Sequence, residues 1–351
     1  MSDIAQPPFV SIIMPVRNEQ NTIRPVLECL LSQDYPRDRM EIIVADGMSS
    51  DNTRQIVSLA AEVDQRIRLT DNPRRIMASG FNAGLSVAHG DVIIMMGGHT
   101  ELDVDYVKAC CRLLQEGIAD CVGGPINTVY QTARAEAISL AMSSRFGVGG
   151  VAFRVGCRRR KYVDTVAFGA YTRDIIERIG RLDEEFVRGQ DDEFNYRLRK
   201  LGGRILIAPE IRSRYTSRSS IRSLWRQYFQ YGYWKVRVLQ KHPRQMQFRH
   251  FVPAAFVCAL LLSLLMVAIR PAIGNDVFLS LCGMYLLATA AVSMWLVWRR
   301  RRWGLAPLLA LSFPMLHFSY GIGFLVGLAK FWKCWREPRE VRVPTNSTIP
   351  G

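Results

Sequence analysis

The order of apolar and polar positions divides the chain near His250. Before it, short apolar runs alternate with stretches whose apolar residues return every three or four positions, the marks of strand and helix. "FVSIIMPV", Phe9 to Val16, predicts a first strand, and "NTIRPVLECLLSQ" a helix capped by Asn21 or Asn18. "MEIIVADG", Met40 to Gly47, predicts a second strand, followed by the helix "SDNTRQIVSLAAEV" capped by Ser49 or Ser50. "IRLTDN", "IMASGFNAGLSVA" and "DVIIMM" continue as strand, helix and strand. Such alternation, with strands apolar on both faces, predicts an α/β fold with a mostly parallel sheet covered on both sides. Ligands of such sheets bind at the carboxyl ends of the strands. Those ends are Pro15 to Glu19, Asp46-Gly47 and Gly97 to His99.

After His250 the pattern loses its polar face. Phe251 to Ile269, Val277 to Trp298 and most of Trp303 to Ala329 are nearly uncharged. Each approaches the roughly 20 apolar residues that cross a bilayer. Arg and Trp at their ends favour membrane insertion over very apolar core helices. The basic segment "KHPRQMQFRH" before the first stretch and "RRRRW" after the second predict that both face the cytoplasm, with "RPAIGND" as the far loop. A third crossing would carry the basic "KFWKCWREPREVR" outward. Pro307, Pro314, Gly321, Gly323 and Gly327 interrupt that stretch, so a re-entrant hairpin is expected, with a plain third span as the alternative. The division expected is a tail over 1–8, a globular domain over 9–215, an interfacial amphipathic segment over 216–250, a membrane region over 251–330 and a tail over 331–351.

A net charge of +15 on 351 residues calls for an anionic partner. Basic residues beside membrane helices meet anionic lipid head groups, so membrane lipid is expected as the partner and nucleic acid is not. Met1 to Pro8 is polar and Pro-rich, and "FVSIIMPV" is too short and lacks the basic flank of a secretory signal. The globular part is therefore expected on the cytoplasmic side of the inner membrane. The eight cysteines form no CxxC pair and read as reduced, structural thiols.

Candidate chemistry sits at the strand ends. Asp46 closes an apolar strand before Gly47, and reads equally as a ligand-binding carboxylate and as a turn residue. Arg74 and Arg75 have the geometry for a diphosphate, but by themselves read as solvated arginines. In "VRGQDDEFNYRLRKLGGRI", Asp191, Asp192 and Glu193 open an amphipathic helix. Acids there complement the helix dipole, yet three in a row exceed what capping needs, and a carboxylate so placed can act as a general base. "SSIRSLWRQYFQYGYWKVRVLQ" is both aromatic and basic, as in a helix lying on a membrane or an amphipathic core helix with a basic edge.

In order, "SIIMPVRNE", "EIIVADGMSSDNT", "FNAGLSVAHGDVIIMM" and "FGAYTRDIIERIGRLDEEFVRGQDDEFNYRLRKLGGRI" resemble the inverting family 2 glycosyltransferases of the GT-A fold. "VDTVAFGAYTRD", "QDDEFNYRL" and "RSSIRSLWRQYFQYGYWK" are similar, more narrowly, to the succinoglycan-biosynthesis glucosyltransferase subfamily. The resemblance implies that Pro15, Arg17 and Glu19 contact a sugar nucleotide and that Asp46 reads uracil or ribose. It implies that Arg75 and Asn82 approach the diphosphate. Asp191 is implied as catalytic base, with Glu193 as a second acid on the same turn. Asp192, Arg218, Trp225, Arg226, Gln227, Tyr231 and Trp234 are implied on the acceptor or interface side. Trp225, Arg226 and Gln227 stand where processive members carry QxxRW, which is absent, so a processive polymer synthase is not expected. The implied activity is transfer from a UDP-sugar such as UDP-glucose to a lipid-linked saccharide in exopolysaccharide or envelope glycan synthesis.

The chain departs from the family at "VIIMMGGHTE". The metal-binding DxD falls on Gly97, Gly98 and His99. Gly97 and Gly98 are expected near the donor, and His99 to bind Mg²⁺ or Mn²⁺ unless it is a structural histidine. Glu101 and Asp103 downstream read as solvated acids. The eroded motif keeps open a catalytically silent nucleotide-binding relative. Transfer to a bare polyprenyl phosphate is a further alternative.

Overall fold

The computed structural model describes residues 6–216 and 220–336. They form two compact units, 6–127 with 156–216, and 128–155 with 220–336. The first unit opens as β1 (Val10–Val16), α1 (Ile23–Leu31), β2 (Met40–Asp46), α2 (Thr53–Val63), β3 (Ile67–Asp71), α3 (Met77–Val87) and β4 (Val92–Met95). β5 (Thr100–Leu102), α4 (Tyr106–Gln115), β6 (Cys121–Gly124) and β7 (Ile126–Val129) follow. The chain then passes through α5 (Ala133–Met142), α6 (Arg145–Val148) and α7 (Ala152–Val155) in the second unit. It returns as β8 (Lys161–Tyr162), β9 (Ala167–Thr172), α8 (Arg173–Ile179), α9 (Gln190–Lys200), β10 (Ile205–Ile207) and β11 (Ser213–Thr216).

The main sheet has the order β3-β2-β1-β4-β9-β6-β10-β8. β1 pairs in parallel with β2 from Val10↔Met40 to Val16↔Asp46, and with β4 from Val10↔Val92 to Ile13↔Met95. β9 runs antiparallel between β4 and β6. The mostly parallel α/β sheet expected from the sequence is present. β2 is buried at every position, and α1 buries Ile23, Val26, Leu27 and Leu30, one stripe of a helix. The helix caps differ from expectation. Thr22 precedes α1 and Asn52 precedes α2. Asn18, Ser49 and Ser50 bond one another across the two loops instead: Asn18 N donates to Ser49 Oγ at 2.9 Å, and Ser50 N to Asn18 Oδ1 at 2.9 Å.

A polar network braces the opposite, amino-terminal edge. Glu41, near the start of β2, accepts from Ser11 Oγ at 2.6 Å, His89 N at 2.7 Å and Arg68 Nη1 at 3.0 Å. The eight cysteines are free thiols. Burial pushes the Cys111 thiol up to about 11, so it stays protonated at neutral pH.

The second unit holds α10 (Ile221–Lys241), α11 (Val252–Ile269), α12 (Pro271–Arg300) and α13 (Ala306–Lys330). Among the described residues, three helices are long and apolar enough to cross a membrane, over Val252–Ile269, Pro271–Arg300 and Trp303–Lys330. The third does not break into a hairpin, because α13 is one continuous helix with Pro314 inside it. Its glycines are packing notches, not helix breaks. A Cβ on Gly323 would fall on the carbonyl of Phe229, and one on Gly327 would lie 2.6 Å from that of Tyr233. α10 thus lies backbone to backbone against α13, the close approach that small residues permit. The stripe Leu224, Tyr228, Gly232, Val236 and Gln240 of α10 is buried, so this helix is not simply laid on a membrane surface. "RPAIGND" is not a loop either. Only Arg270 separates α11 from α12, and Gly274 lets the first turn of α12 back onto Val267.

Residues 128–155 leave the expected 9–215 block for a physical reason. Ala137, Ile138, Ala141 and Met142 of α5 share one apolar cluster with Leu309, Phe313 and Leu316 of α13. Glu136, buried on α5, pairs with Arg302 at 2.7 Å.

Two outcomes are expected. Gly323→Ala overpacks α10 against α13 and costs about 1–3 kcal/mol, read as a fall in Tm of the detergent-solubilised protein; an unchanged Tm contradicts this packing. Burial alone would raise the Glu41 pKa, but the donors from Ser11, His89 and Arg68 outweigh it and hold the carboxyl below its usual range. Its stabilisation is therefore present above about pH 4.3 and lost as pH falls through the lower folded value. Glu41→Gln should lower Tm at pH 7 and shrink the acid-side decline, and an unchanged Tm–pH curve contradicts it.

Candidate active site

β1 lies between β2 and β4, so the chain winds away from it in both directions, and it is outside the carboxyl ends at such a switch point that sheets of this kind bind ligands. The loops after β1 and β2 are laced together there. Besides the Asn18 bonds, Glu19 N donates to Thr53 Oγ1 at 2.7 Å and Gln20 N to Asp51 Oδ2 at 3.2 Å. Asn18, Met48 and Arg75 take left-handed backbone, at φ 55°, 56° and 62°. They follow β1, β2 and β3 in turn. Backbone strain of this kind gathers at functional loops.

Asp46 ends β2 fully buried. Its Oδ2 accepts from Ser49 N at 3.1 Å and lies 3.5 Å from Arg54 Nη1, while Oδ1 is buried without a hydrogen-bond partner. Leaving a carboxylate oxygen so costs about 1–3 kcal/mol or more. Arg54 leans instead on Asp71 at 2.6 Å. Pro15 is partly buried and Arg17 is exposed beside this end of β1.

His99 follows β4. Its Nδ1 lies 3.3 Å from Glu19 Oε1, and its ring meets Tyr215 edge-on with centroids 5.5 Å apart. Thr22 Oγ1 donates to the other Glu19 oxygen at 2.7 Å. Gly98 permits this approach, since a Cβ there would lie 2.8 Å from Val16 Cγ1 and 3.3 Å from Glu19 Cγ. Gly97 is open: a Cβ there meets nothing nearer than His99 Cε1 at 3.9 Å. No group of three or more His, Cys, Asp or Glu side chains among the described residues forms a ready metal site. One imidazole, with a carboxylate against its Nδ1, can offer its other nitrogen to a divalent ion of the Mg²⁺ or Mn²⁺ kind. Such ions take one or two protein donors and complete their shell with phosphate oxygens and water. Glu101 is exposed on β5, as its reading as a solvated acid expects.

Asp191, Asp192 and Glu193 occupy the first turn of α9, after Gly189 at φ 79°. Asp191 and Asp192 are partly exposed. Glu193, expected as a second acid on the turn of Asp191, faces inward. It is buried, and its two oxygens take Arg197 Nε at 2.7 Å and Nη2 at 3.0 Å. Arg197 also donates to the carbonyls of Ile179 and Arg181, so Glu193 braces the turn that carries Asp191. Tyr171 on β9 donates to Asn195 Oδ1 at 3.0 Å. Burial, and then the nearby Cys121 and Asp191, push its hydroxyl well above the usual range.

Asn82, expected near the diphosphate, has partners within the fold. Buried on α3, it donates to Leu182 O and Glu184 Oε1 at 2.9 Å each, and accepts from Leu182 N at 2.9 Å. It pins the segment leading to α9 and keeps little for a diphosphate. Arg74 pairs with Glu184, which leaves exposed Arg75 as the arginine of that loop open to a ligand. Gln190 bonds Met77 Sδ, and its own Oε1 is buried without a partner. Trp225, Arg226, Gln227, Tyr231 and Trp234 all lie on α10 in the second unit, with Gln227 donating to Tyr231 Oη at 2.9 Å. Arg218 lies outside the described residues. Tyr215 and Arg54 were not singled out in the sequence. No local pattern marks Tyr215, which meets His99 only through the pairing of β11 with β5.

Residues 11–180 match the family model described as Glycosyl transferase family 2. A dolichyl N-acetyl-alpha-D-glucosaminyl phosphate 3-beta-D-2,3-diacetamido-2,3-dideoxy-beta-D-glucuronosyltransferase of Methanococcus voltae is 32% identical over 241 residues, 66% of this chain and 74% of that protein. Succinoglycan biosynthesis protein ExoA of Rhizobium meliloti is 28% identical over 336 residues, 94% and 95% of the two chains. Among solved structures, the mannosyltransferase PcManGT from Pyrobaculum calidifontis, in complex with GDP-Man and Mn²⁺, superposes with a TM-score of 0.55 at 19% identity. That match covers 95% of this chain and 89% of the other, and speaks for the GT-A fold. The chain belongs to glycosyltransferase family 2 and is a glycosyltransferase.

Asn82→Ala should cost about 1–3 kcal/mol through loss of the Leu182 pin, read as a lower Tm. If UDP affinity falls while Tm is unchanged, Asn82 serves the donor and not the fold.

Proposed function

We propose that this family 2 enzyme moves a sugar from a UDP-sugar to a saccharide carried on a membrane lipid, with inversion at the anomeric carbon. The observation that carries the reading is the first turn of α9. Asp191 stands there partly exposed on a turn fixed from three sides, by the Glu193–Arg197 pair, the Asn82 pin and the Gln190–Met77 contact. A silent relative has no need of so firmly held a base.

Asp191 takes the proton of the acceptor hydroxyl as that oxygen attacks the anomeric carbon. The bond to the UDP oxygen breaks on the opposite face and its electron pair leaves with the diphosphate. A single displacement inverts the centre, so an α-linked donor yields a β-glycoside. Asp46 receives a nucleoside donor at its unpartnered oxygen, with Arg54 drawing back onto Asp71. Arg17 and Arg75, both exposed at strand ends, supply charge to the diphosphate. His99 is the residue that would hold a divalent ion, with Glu19 on its other ring nitrogen; the ion when bound offsets the charge growing on the leaving diphosphate.

Support for a lipid-borne acceptor comes from the second unit and from the relatives. Three helices among the described residues are of membrane length, and the Methanococcus voltae relative is named for a dolichyl N-acetyl-alpha-D-glucosaminyl phosphate. Basic residues stand before α11 and again at Arg299 to Arg302, where α12 ends, the two ends of one helical hairpin. That bias supports a cytoplasmic face for both ends and residence in the inner membrane.

Asp191→Asn should lower UDP release by about 10²-fold or more while UDP affinity stays within about twofold of wild type. Full turnover in that variant removes the base assignment. Mass analysis of the lipid product should show two or more sugars; a single sugar would mean transfer to bare polyprenyl phosphate.

A further inference from the structure

We propose that Glu19 is a positioning residue that sets the tautomer and the orientation of His99. The inference rests on the reading that His99 contacts the ion at the donor diphosphate. A carboxylate oxygen 3.3 Å from Nδ1 accepts the proton of that nitrogen. A neutral imidazole then keeps its lone pair on Nε2 alone. Histidines that bind metals are commonly held this way, with the second ring nitrogen donating to a carboxylate.

Four features of this chain converge on the pair. Glu19 is fixed along its length, by its own N–H on Thr53 Oγ1 at 2.7 Å and by Thr22 Oγ1 on Oε2 at 2.7 Å, so that Oε1 is the oxygen turned to His99. Gly98 clears the path, because any side chain there would press on Glu19 Cγ and Val16 Cγ1. Tyr215 closes on the imidazole edge-on and limits its rotation. The Cε1 corner of the ring, between its two nitrogens, is the atom nearest the open space beside Gly97. With Nδ1 engaged by Glu19, Nε2 is the nitrogen left to serve that space. The space is where an aspartate at position 97 would have projected. The chain thus replaces an acid on the β4 loop with an imidazole steered by an acid on the β1 loop.

The test is Mn²⁺ binding to the full-length, detergent-solubilised protein with UDP present, followed by the EPR signal of free Mn²⁺. Glu19→Ala should weaken Mn²⁺ about 10- to 100-fold. Glu19→Gln should stay within about threefold of wild type, because its amide oxygen still accepts from Nδ1. The proposal is overturned if Glu19→Ala binds Mn²⁺ as wild type does. It is also overturned if Glu19→Gln is as weak as Glu19→Ala, which would put the carboxylate charge on the ion itself. His99→Ala separates the two layers. If it binds Mn²⁺ normally, the metal reading of His99 fails; if it loses Mn²⁺ while Glu19→Ala does not, only the Glu19 role fails. Tm of each variant, expected within a few degrees of wild type, reports on folding.

Discussion

Parallel pairing of β1 with both β2 and β4 is the constraint on which the rest of the first unit hangs. Parallel strands cannot be joined by tight turns, so each is followed by a helix that returns the chain to the same edge. Every strand of this kind therefore delivers its last residue to one side. Asp46, the Arg17–Glu19 loop and the Gly97–His99 loop, some 80 residues apart at the extremes of sequence, meet there because of backbone hydrogen bonds and not because of their own chemistry. The amino-terminal edge is braced separately by buried Glu41, which ties β1, β3 and the turn before β4. Polar groups at the two edges thus do different work. At one edge they are satisfied and hold the sheet. At the other some are left short of partners, as with Asp46 Oδ1.

The second unit follows a different rule. Apolar side chains give helices little reason to prefer one another over lipid, so close packing and polar contacts decide the arrangement. Here that packing runs through glycines. Gly323 and Gly327 bring α13 onto the backbone of α10, and Gly321 brings it to within the reach of α11 at Pro253. Residues 128–155, though flanked by strands of the first unit, are captured by the same logic. Small and apolar side chains on α5 find Leu309, Phe313 and Leu316, while Glu136 is neutralised by Arg302.

Much of this was legible in the sequence. Strands β1 to β4 and the helices between them follow from continuous apolar runs and helical spacing, and the ordered motifs named the family. What the sequence hid was which polar residues face inward. Glu193 sits among three consecutive acids, and only the fold shows that Arg197, one turn along, takes both its oxygens. Asn82 looked like a ligand contact because its partner Leu182 is 100 residues away. Asn18, Ser49 and Ser50 do not cap α1 and α2, because their hydrogen bonds run between the two loops. The re-entrant hairpin was predicted from glycines and prolines that break isolated helices, whereas in α13 the glycines serve contact. Tyr215 had no signal at all, since its place beside His99 depends on the pairing of two short strands.

The proposed single displacement at this strand-end site is decided by the anomeric configuration of the product. The enzyme would be given whichever α-linked UDP-sugar it turns over, labelled with ¹³C at the anomeric carbon, together with lipid-linked acceptor. NMR of the released saccharide reads the new linkage. A β-glycoside is expected as the sole product, formed by wild type and not by Asp191→Asn. An α-glycoside would contradict it, because retention requires a second displacement or a front-side path that a base at Asp191 does not provide.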